Sequence, residues 1–236
     1  WKETIQNQFL SGSNEVRRAI LELCWLKKEI ITNKMIINQI QLKDEISPHA
    51  ISCATDRKIT KNIKDIDSFL IERNVQLKFS ALVVMINDPE KGRKAKEIVN
   101  QTLIDSSEEE ITKLLHFLKH SDYDISEHLI IKYLNSKNPE LITQTLGIIS
   151  QNPQEKYLIQ IIQLLENKNV SHAAEKTLLR YDKKNVCDKL LKYFSSSKST
   201  YETKISILGF IHQFEDSEIA KTILSSMDNP DLKFLG

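Results

Sequence analysis

The sequence predicts an all-α fold, a solenoid of about seven antiparallel helical hairpins, and three observations carry that prediction. Gly and Pro are scarce, five of each in 236 residues, whereas a β-rich or loop-rich chain of this length needs many more of both to make its turns. Leu, Ile, Lys, Glu, Gln and Asn dominate, and most of these are good or tolerable helix residues. Short apolar segments also recur on a steady beat, centred on Ile20, Ile51, Leu82, Leu114, Leu146, Leu178 and Leu208, with successive spacings of 31, 31, 32, 32, 32 and 30 residues. Unrelated helices vary independently in length and in loop, so a period of ~31 residues held this closely marks an internal repeat.

Each unit opens on a helix start. Ser13-Asn14, Ser47-Pro48, Ser106-Ser107, Asn138-Pro139, Asn169 and Ser199-Thr200 precede most of the apolar segments. A Ser or Asn at an N-cap accepts a bond from a free backbone N–H, and Pro at the first helical position gives up a donor that had no partner. A second helix follows in each unit, with apolar residues at i, i+3, i+4 spacing: Tyr157, Ile161, Leu164 and Leu165; Val186, Leu190, Leu191 and Phe194; Ile219, Ile223 and Leu224. Joints as short as Gln151 to Pro153 and Glu215 to Ser217 force the two helices of a pair to run antiparallel. One such hairpin cannot bury its apolar face alone, and stacking on similar neighbours gives it a continuous core. Asn229-Pro230-Asp231-Leu232 repeats the opening of Asn138-Pro139-Glu140-Leu141, as though an eighth unit were beginning. The whole of residues 1–236 therefore reads as one repeat domain, and the start at Trp1 without a basic and apolar leader reads as a piece of a longer chain.

Units that open with Asn/Asp-Pro-Glu/Asp-Leu, continue with a small apolar stripe and close near Leu-Leu resemble HEAT-type repeats in their short bacterial form. The resemblance implies a right-handed, armadillo-like superhelix over nearly the whole chain. The Arg usual in the first helix of such repeats is mostly missing here, Arg17 being its best candidate. The run from Asp88-Pro89-Glu90 to Asn229-Pro230-Asp231-Leu232 is similar, more narrowly, to the soluble HEAT segment that follows the membrane part of bacterial ATP/ADP carrier-like transporters. In those proteins a Tyr…Leu…Leu-Leu unit, here Tyr157 to Leu165, precedes an Ala…Leu…Tyr unit, here Ala173 to Tyr181. That likeness implies a soluble regulatory domain, cytoplasmic and tethered to the inner membrane through its parent chain.

The charge-bearing groups offer little chemistry. Formal net charge is +1, so no global field draws a polyanion or an anionic membrane. The longest apolar runs, Phe79 to Ile86 and Tyr157 to Leu165, fall well short of the ~20 residues of a spanning helix. Cys24, Cys53 and Cys187 are odd in number and far apart in sequence, which suggests neither a disulfide framework nor a CxxC metal site; a reducing compartment and buried thiols fit them best. Of the six histidines (His49, His116, His120, His128, His172 and His212), the pair His116/His120 has i, i+4 spacing. The residues between them supply no Glu, and His128 would have to bring a third ligand from the next helix, so no metal is expected. Glu108-Glu109-Glu110 stands at a predicted helix start, where the helix dipole favours carboxylates. GxGxxG, GxxxxGK[ST] and GxSxG are all absent, and no cofactor and no enzyme activity is expected. Basic residues gather at Lys91, Arg93, Lys94 and Lys96 and again at Lys58, Lys61 and Lys64, but Glu90, Glu97, Asp65 and Asp67 are interleaved as on a solvated face. Binding to nucleic acid is therefore not expected, although HEAT-like DNA-binding proteins supply the second alternative. The aromatics Trp25, Phe79, Phe117 and Phe210 fall on apolar stripes.

The function expected on these grounds is a non-catalytic scaffold that binds another protein, or another part of its own chain, across an extended surface. The residues expected on that surface are Lys132, Gln160 and Lys189 on the second helices, with Lys91, Arg93 and Lys94 as a basic patch.

Overall fold

A computed structural model describes residues 1–211 apart from Lys28, His120 and Lys198, with Trp25 and Leu26 described by backbone alone. These residues form α-helices and short 3-10 turns, and no strand occurs among them. No described helix is long and apolar enough to cross a membrane. The chain divides into two compact units, Trp1–Asp124 and Ile125–Gly236. His212, the helix expected at Ile219 to Leu224 and the Asn-Pro-Asp-Leu motif at 229–232 lie outside the described residues.

The first unit contains α1 (Lys2–Ser11), α2 (Asn14–Leu26), α3 (Asn33–Gln41), α4 (Ser47–Asp56), α5 (Val75–Met85), α6 (Gly92–Asp105) and α7 (Glu108–Leu118). Four of the repeated apolar centres fall here, on α2, α4, α5 and α7, and each of these helices packs on the next. Their centres Ile20, Ile51, Leu82 and Leu114 are all buried. Between them lie α3, a 3-10 stretch and α6. The stretch after α4 departs from the hairpin expectation, since Thr60–Asn62 and Ile66–Ile71 form 3-10 turns where a second α-helix was expected. Ile63, Ile66 and Phe69 are spaced by three and are all buried, and a three-residue turn stacks i on i+3, so this spacing suits a 3-10 turn better than an α-helix.

The second unit contains α8 (Glu127–Leu134), α9 (Pro139–Gln151), α10 (Leu158–Gln163), α11 (Ser171–Leu178), α12 (Lys183–Phe194) and α13 (Tyr201–Ile211). α9 packs on α11, while α10 packs on α8, α11 and α12. The predicted stripes of the second helices are largely buried, with Tyr157, Ile161 and Leu165 on one and Val186, Leu190 and Phe194 on the next. Phe79, Phe117 and Phe210 are core residues as well.

Most expected helix starts are real caps. Ser13, Ser107, Asn138 and Thr200 accept from the backbone amides of Val16, Glu110, Glu140 and Thr203. Two starts differ. Ser47 already lies inside α4, and the amides of Ile46 and Ser47 donate instead to the Asp44 carboxylate, each at 3.0 Å. Asn169 is not a cap either, because α11 begins at Ser171 and its N-cap is Val170, whose side chain accepts nothing.

Side chains about one period apart are joined within each unit. Asn14 donates to Glu45, Asn185 to Glu155 at 2.6 Å, Gln163 to the Tyr193 hydroxyl at 3.1 Å, and Thr177 to the Leu146 carbonyl at 3.4 Å. The last of these links α11 to α9, the two helices that carry successive apolar centres.

Candidate interaction cleft

A recess rimmed by charged groups opens in the first unit, where the hairpin pattern is broken. α4 ends in a Schellman turn: Ile59 N–H donates to the Ala54 carbonyl at 3.0 Å and Lys58 N–H to the Thr55 carbonyl at 2.9 Å. That geometry puts Lys58 in the left-handed region at φ 57, where glycine is the usual occupant. Asp65 is left-handed too, at φ 48, and it turns the chain into the second 3-10 stretch. Residues of this stretch and of the end of α5 line a cleft of about 650 Å³.

The cleft has an apolar floor and a charged rim. Ile63, Ile66, Val83 and Met85 form the buried floor, and Lys58, Lys61, Lys91, Asp65, Asp88 and Asp122 stand around it. The turn after α5 supplies one wall. Asp88 accepts from the amides of Lys91 and Glu90 at 3.0 and 2.9 Å, and those bonds hold its carboxyl below the usual carboxylate range, the Lys91 amide contributing most. Gly92 follows because only glycine fits there: a Cβ would come within 2.6 Å of the Ile86 carbonyl oxygen.

The lysines differ in how they are held. Lys91 is paired with Asp67, and that hydrogen bond raises the ammonium above its ordinary range. Lys58 and Lys61 are exposed and make no ion pair among the described residues. Before α4, Lys43 is left-handed at φ 52 and fully engaged: its Nζ donates to Ser68 Oγ at 2.8 Å and to Glu72 at 2.9 Å, and lies 4.9 Å from the Phe69 ring centre.

The structure thus joins two basic runs that the sequence kept apart, since Lys58 and Lys61 from one and Lys91 from the other share a cleft. Arg93 is not part of it. With Lys96 it lines a more open depression that shares Asn87, Asp88 and Pro89, and it pairs with Glu97 one turn on at 3.2 Å. Lys94 is exposed and lines neither recess.

Lys132, Gln160 and Lys189 fall on α8, α10 and α12, successive second helices of the other unit, of which α10 packs on both neighbours. Lys132 is exposed and Lys189 half-buried. Gln160 is half-buried as well, but its Oε1 is covered and has no hydrogen-bond partner, so it is poorly placed to serve an outer surface. His116 stacks edge-on against Phe117 at 5.2 Å, His128 is exposed, and His120 lies outside the described residues. No group of three His, Cys, Asp or Glu residues with metal-binding geometry occurs among the described residues. Glu109 in the acidic run pairs with Lys113 one turn on at 2.6 Å, which keeps its carboxyl below the usual range.

No family model, no curated protein and no solved structure matches the chain.

Proposed function

We propose that the chain is a non-catalytic protein-interaction module, a HEAT-like right-handed α-solenoid of about seven hairpins that uses its first-unit cleft to hold an acidic segment of another protein or of its own parent chain. The observation that carries this reading is the pairing of the cleft with the repeat. Side-chain hydrogen bonds between residues about one period apart support stacked hairpins, and the second hairpin departs from the pattern where the cleft opens. An apolar floor accepts the side chains of an extended or helical segment, and unpaired Lys58 and Lys61 on the rim meet its carboxylates.

The arrangement is tested by solution scattering. A compact chain of this length has a radius of gyration of about 18 Å, and a stacked array of hairpins exceeds that; a value at or below it refutes the solenoid. Binding is tested on an array of acidic, neutral and basic peptides, probed with the chain and with its Lys58→Glu/Lys61→Glu variant. Acidic peptides should be retained and lose about tenfold in affinity with the variant. Equal binding by the two proteins, or tight and steeply salt-dependent retention of duplex DNA instead, overturns the reading.

A further inference from the structure

The first-unit cleft is bordered by the ends of three helices. Thr55 and Asp56 close α4, Val83, Val84 and Met85 close α5, and Ser121 and Asp122 follow α7, and all of them line it. α4 packs on α5 and α5 on α7, so the turns after these helices border the cleft in that order. Their charges change sign along the row: Lys58 and Lys61 follow α4, Asp88 follows α5 and Asp122 follows α7.

The charges already engaged leave that difference in place. Lys91 lines the cleft too, but its ammonium is taken by Asp67, which lies outside the lining. Asp88 accepts two backbone amides and, like Asp122, forms no ion pair among the described residues. Asp56 and Asp65 also line the cleft, so carboxylates outnumber the two unpaired ammonium groups of Lys58 and Lys61. α5 ends without a basic residue in its last turn, and the partial negative charge of that end adds to a field that favours a cation beside Asp88.

We infer that the segment held in this cleft carries both signs of charge: a Glu or Asp that meets Lys58 and Lys61, and a Lys or Arg about three residues away that meets Asp88 and Asp122. The occupant is a charge-alternating segment of a partner protein. This rests on the cleft's proposed role in holding an acidic segment and narrows it, since a segment with carboxylates alone would add to the carboxylate excess already there.

The spacing follows from size. A cleft of about 650 Å³, taken as a sphere, is about 11 Å across, and an extended segment crosses that in about three residues at ~3.3 Å each. The floor discriminates little, because Ile63, Ile66, Val83 and Met85 are only 3% to 9% exposed. Selectivity falls to the rim, where each exposed charge contact changes affinity about two- to fivefold. A segment turned end for end places like charges together at both walls, so the same groups fix its direction.

The test uses the full chain and short fluorescein-labelled peptides, read by fluorescence polarisation. One kind carries Glu and Lys about three residues apart, in either order, and a second carries Glu at both positions. The better Glu–Lys order should bind several-fold tighter than the all-Glu peptide. Asp88→Asn/Asp122→Asn keeps an acceptor for the Lys91 and Glu90 amides and removes only charge; it should weaken the Glu–Lys peptide about fivefold and leave the all-Glu peptide as tight or tighter. Asp122→Lys, at an exposed position outside any helix, should turn the preference toward the all-Glu peptide. An all-Glu peptide that binds wild-type protein as tightly as the Glu–Lys peptide, or an equal loss of both in the Asp88/Asp122 variant, overturns this inference and leaves the acidic-segment reading standing. Failure of both kinds to bind, or binding that Lys58→Glu/Lys61→Glu does not weaken, overturns that reading as well.

Discussion

Removing the Asp44 carboxylate should cost about 3 kcal/mol, a large loss for a side chain that is neither apolar nor in a helix. Asp44 Oδ1 accepts from the Gln39 amide at 2.8 Å and from the Ile46 and Ser47 backbone amides at 3.0 Å, while Oδ2 accepts from Arg17 at 3.2 Å. Asp44→Ala strips α4 of its capping acceptor, worth ~1 kcal/mol. It also leaves Arg17 and Gln39 with idle donors, and Arg17 keeps only 16% of its side chain in water, so a further ~2 kcal/mol is expected. Urea unfolding followed by circular dichroism measures this directly. Arg17→Met removes the stranded cation beforehand, so the double variant should cost ~1 kcal/mol less than the two singles summed. A cost for Asp44→Ala under ~1 kcal/mol, or additivity within ~0.5 kcal/mol, refutes the idea that this network holds the first two repeats together. The pH dependence carries the same signature. Burial pushes the Asp44 carboxyl up, but the bonds from Gln39, Ser47 and Ile46, with the Arg17 charge, outweigh it and hold it below its ordinary value. A lowered carboxyl contributes stability that is complete above about pH 4 and is lost as pH falls through the folded value, and Asp44→Ala should flatten that limb.

The two left-handed lysines should answer glycine in opposite directions. Lys58→Gly relieves a left-handed residue in the Schellman turn, where Lys58 makes no ion pair, and should stabilise the chain by up to ~1 kcal/mol. Lys43→Gly relieves the same strain but loses the Ser68, Glu72 and Phe69 contacts, and should destabilise it; denaturant midpoints decide both, and equal shifts would sink the distinction. His49 on α4 is half-buried, and burial first, with Arg18 nearby, lowers its pKa, Glu22 opposing. The unfolded chain then binds the proton more tightly, so stability should fall as pH drops below about 6.5, and His49→Gln should lose that slope. Titration of the His49 ring by NMR to a value at or above about 6.5 would contradict this.

The helices were legible because their signals are local. The apolar segments, the Ser and Asn caps and Pro139 each act within one turn, so a single sequence displays them. Ser47 misled for an instructive reason: its residue type suits a cap, but Asp44 three positions earlier reaches the same amides with a charge and takes the role. The 3-10 stretch was legible in principle, since Ile63, Ile66 and Phe69 keep a spacing of three where an α-helix alternates three and four. The cleft was not legible. Lys58 and Lys91 are 33 positions apart in sequence, and what joins them is the left-handed backbone at Lys58 and Asp65, residue types that give no warning of positive φ.

The polar links between neighbouring repeats invite the conclusion that they stabilise the stack, and the magnitudes argue otherwise. Lys156 and Glu127 form such a link at 2.8 Å, yet 42% and 53% of their side chains remain in water, and an exposed pair of that kind contributes ~0–1 kcal/mol. Leu82, Leu114, Leu146 and Leu178 are fully buried at successive apolar centres, and each contributes ~1.5–3 kcal/mol on transfer from water. The apolar stripe therefore sets how stable each neighbour contact is. The polar links act on register, because a sliding helix would keep most of its apolar contact but would lose bonds such as Asn185 to Glu155 and Gln163 to Tyr193. Asp44 stands apart from the exposed links because it couples a neighbour contact to a helix cap, so losing it costs both.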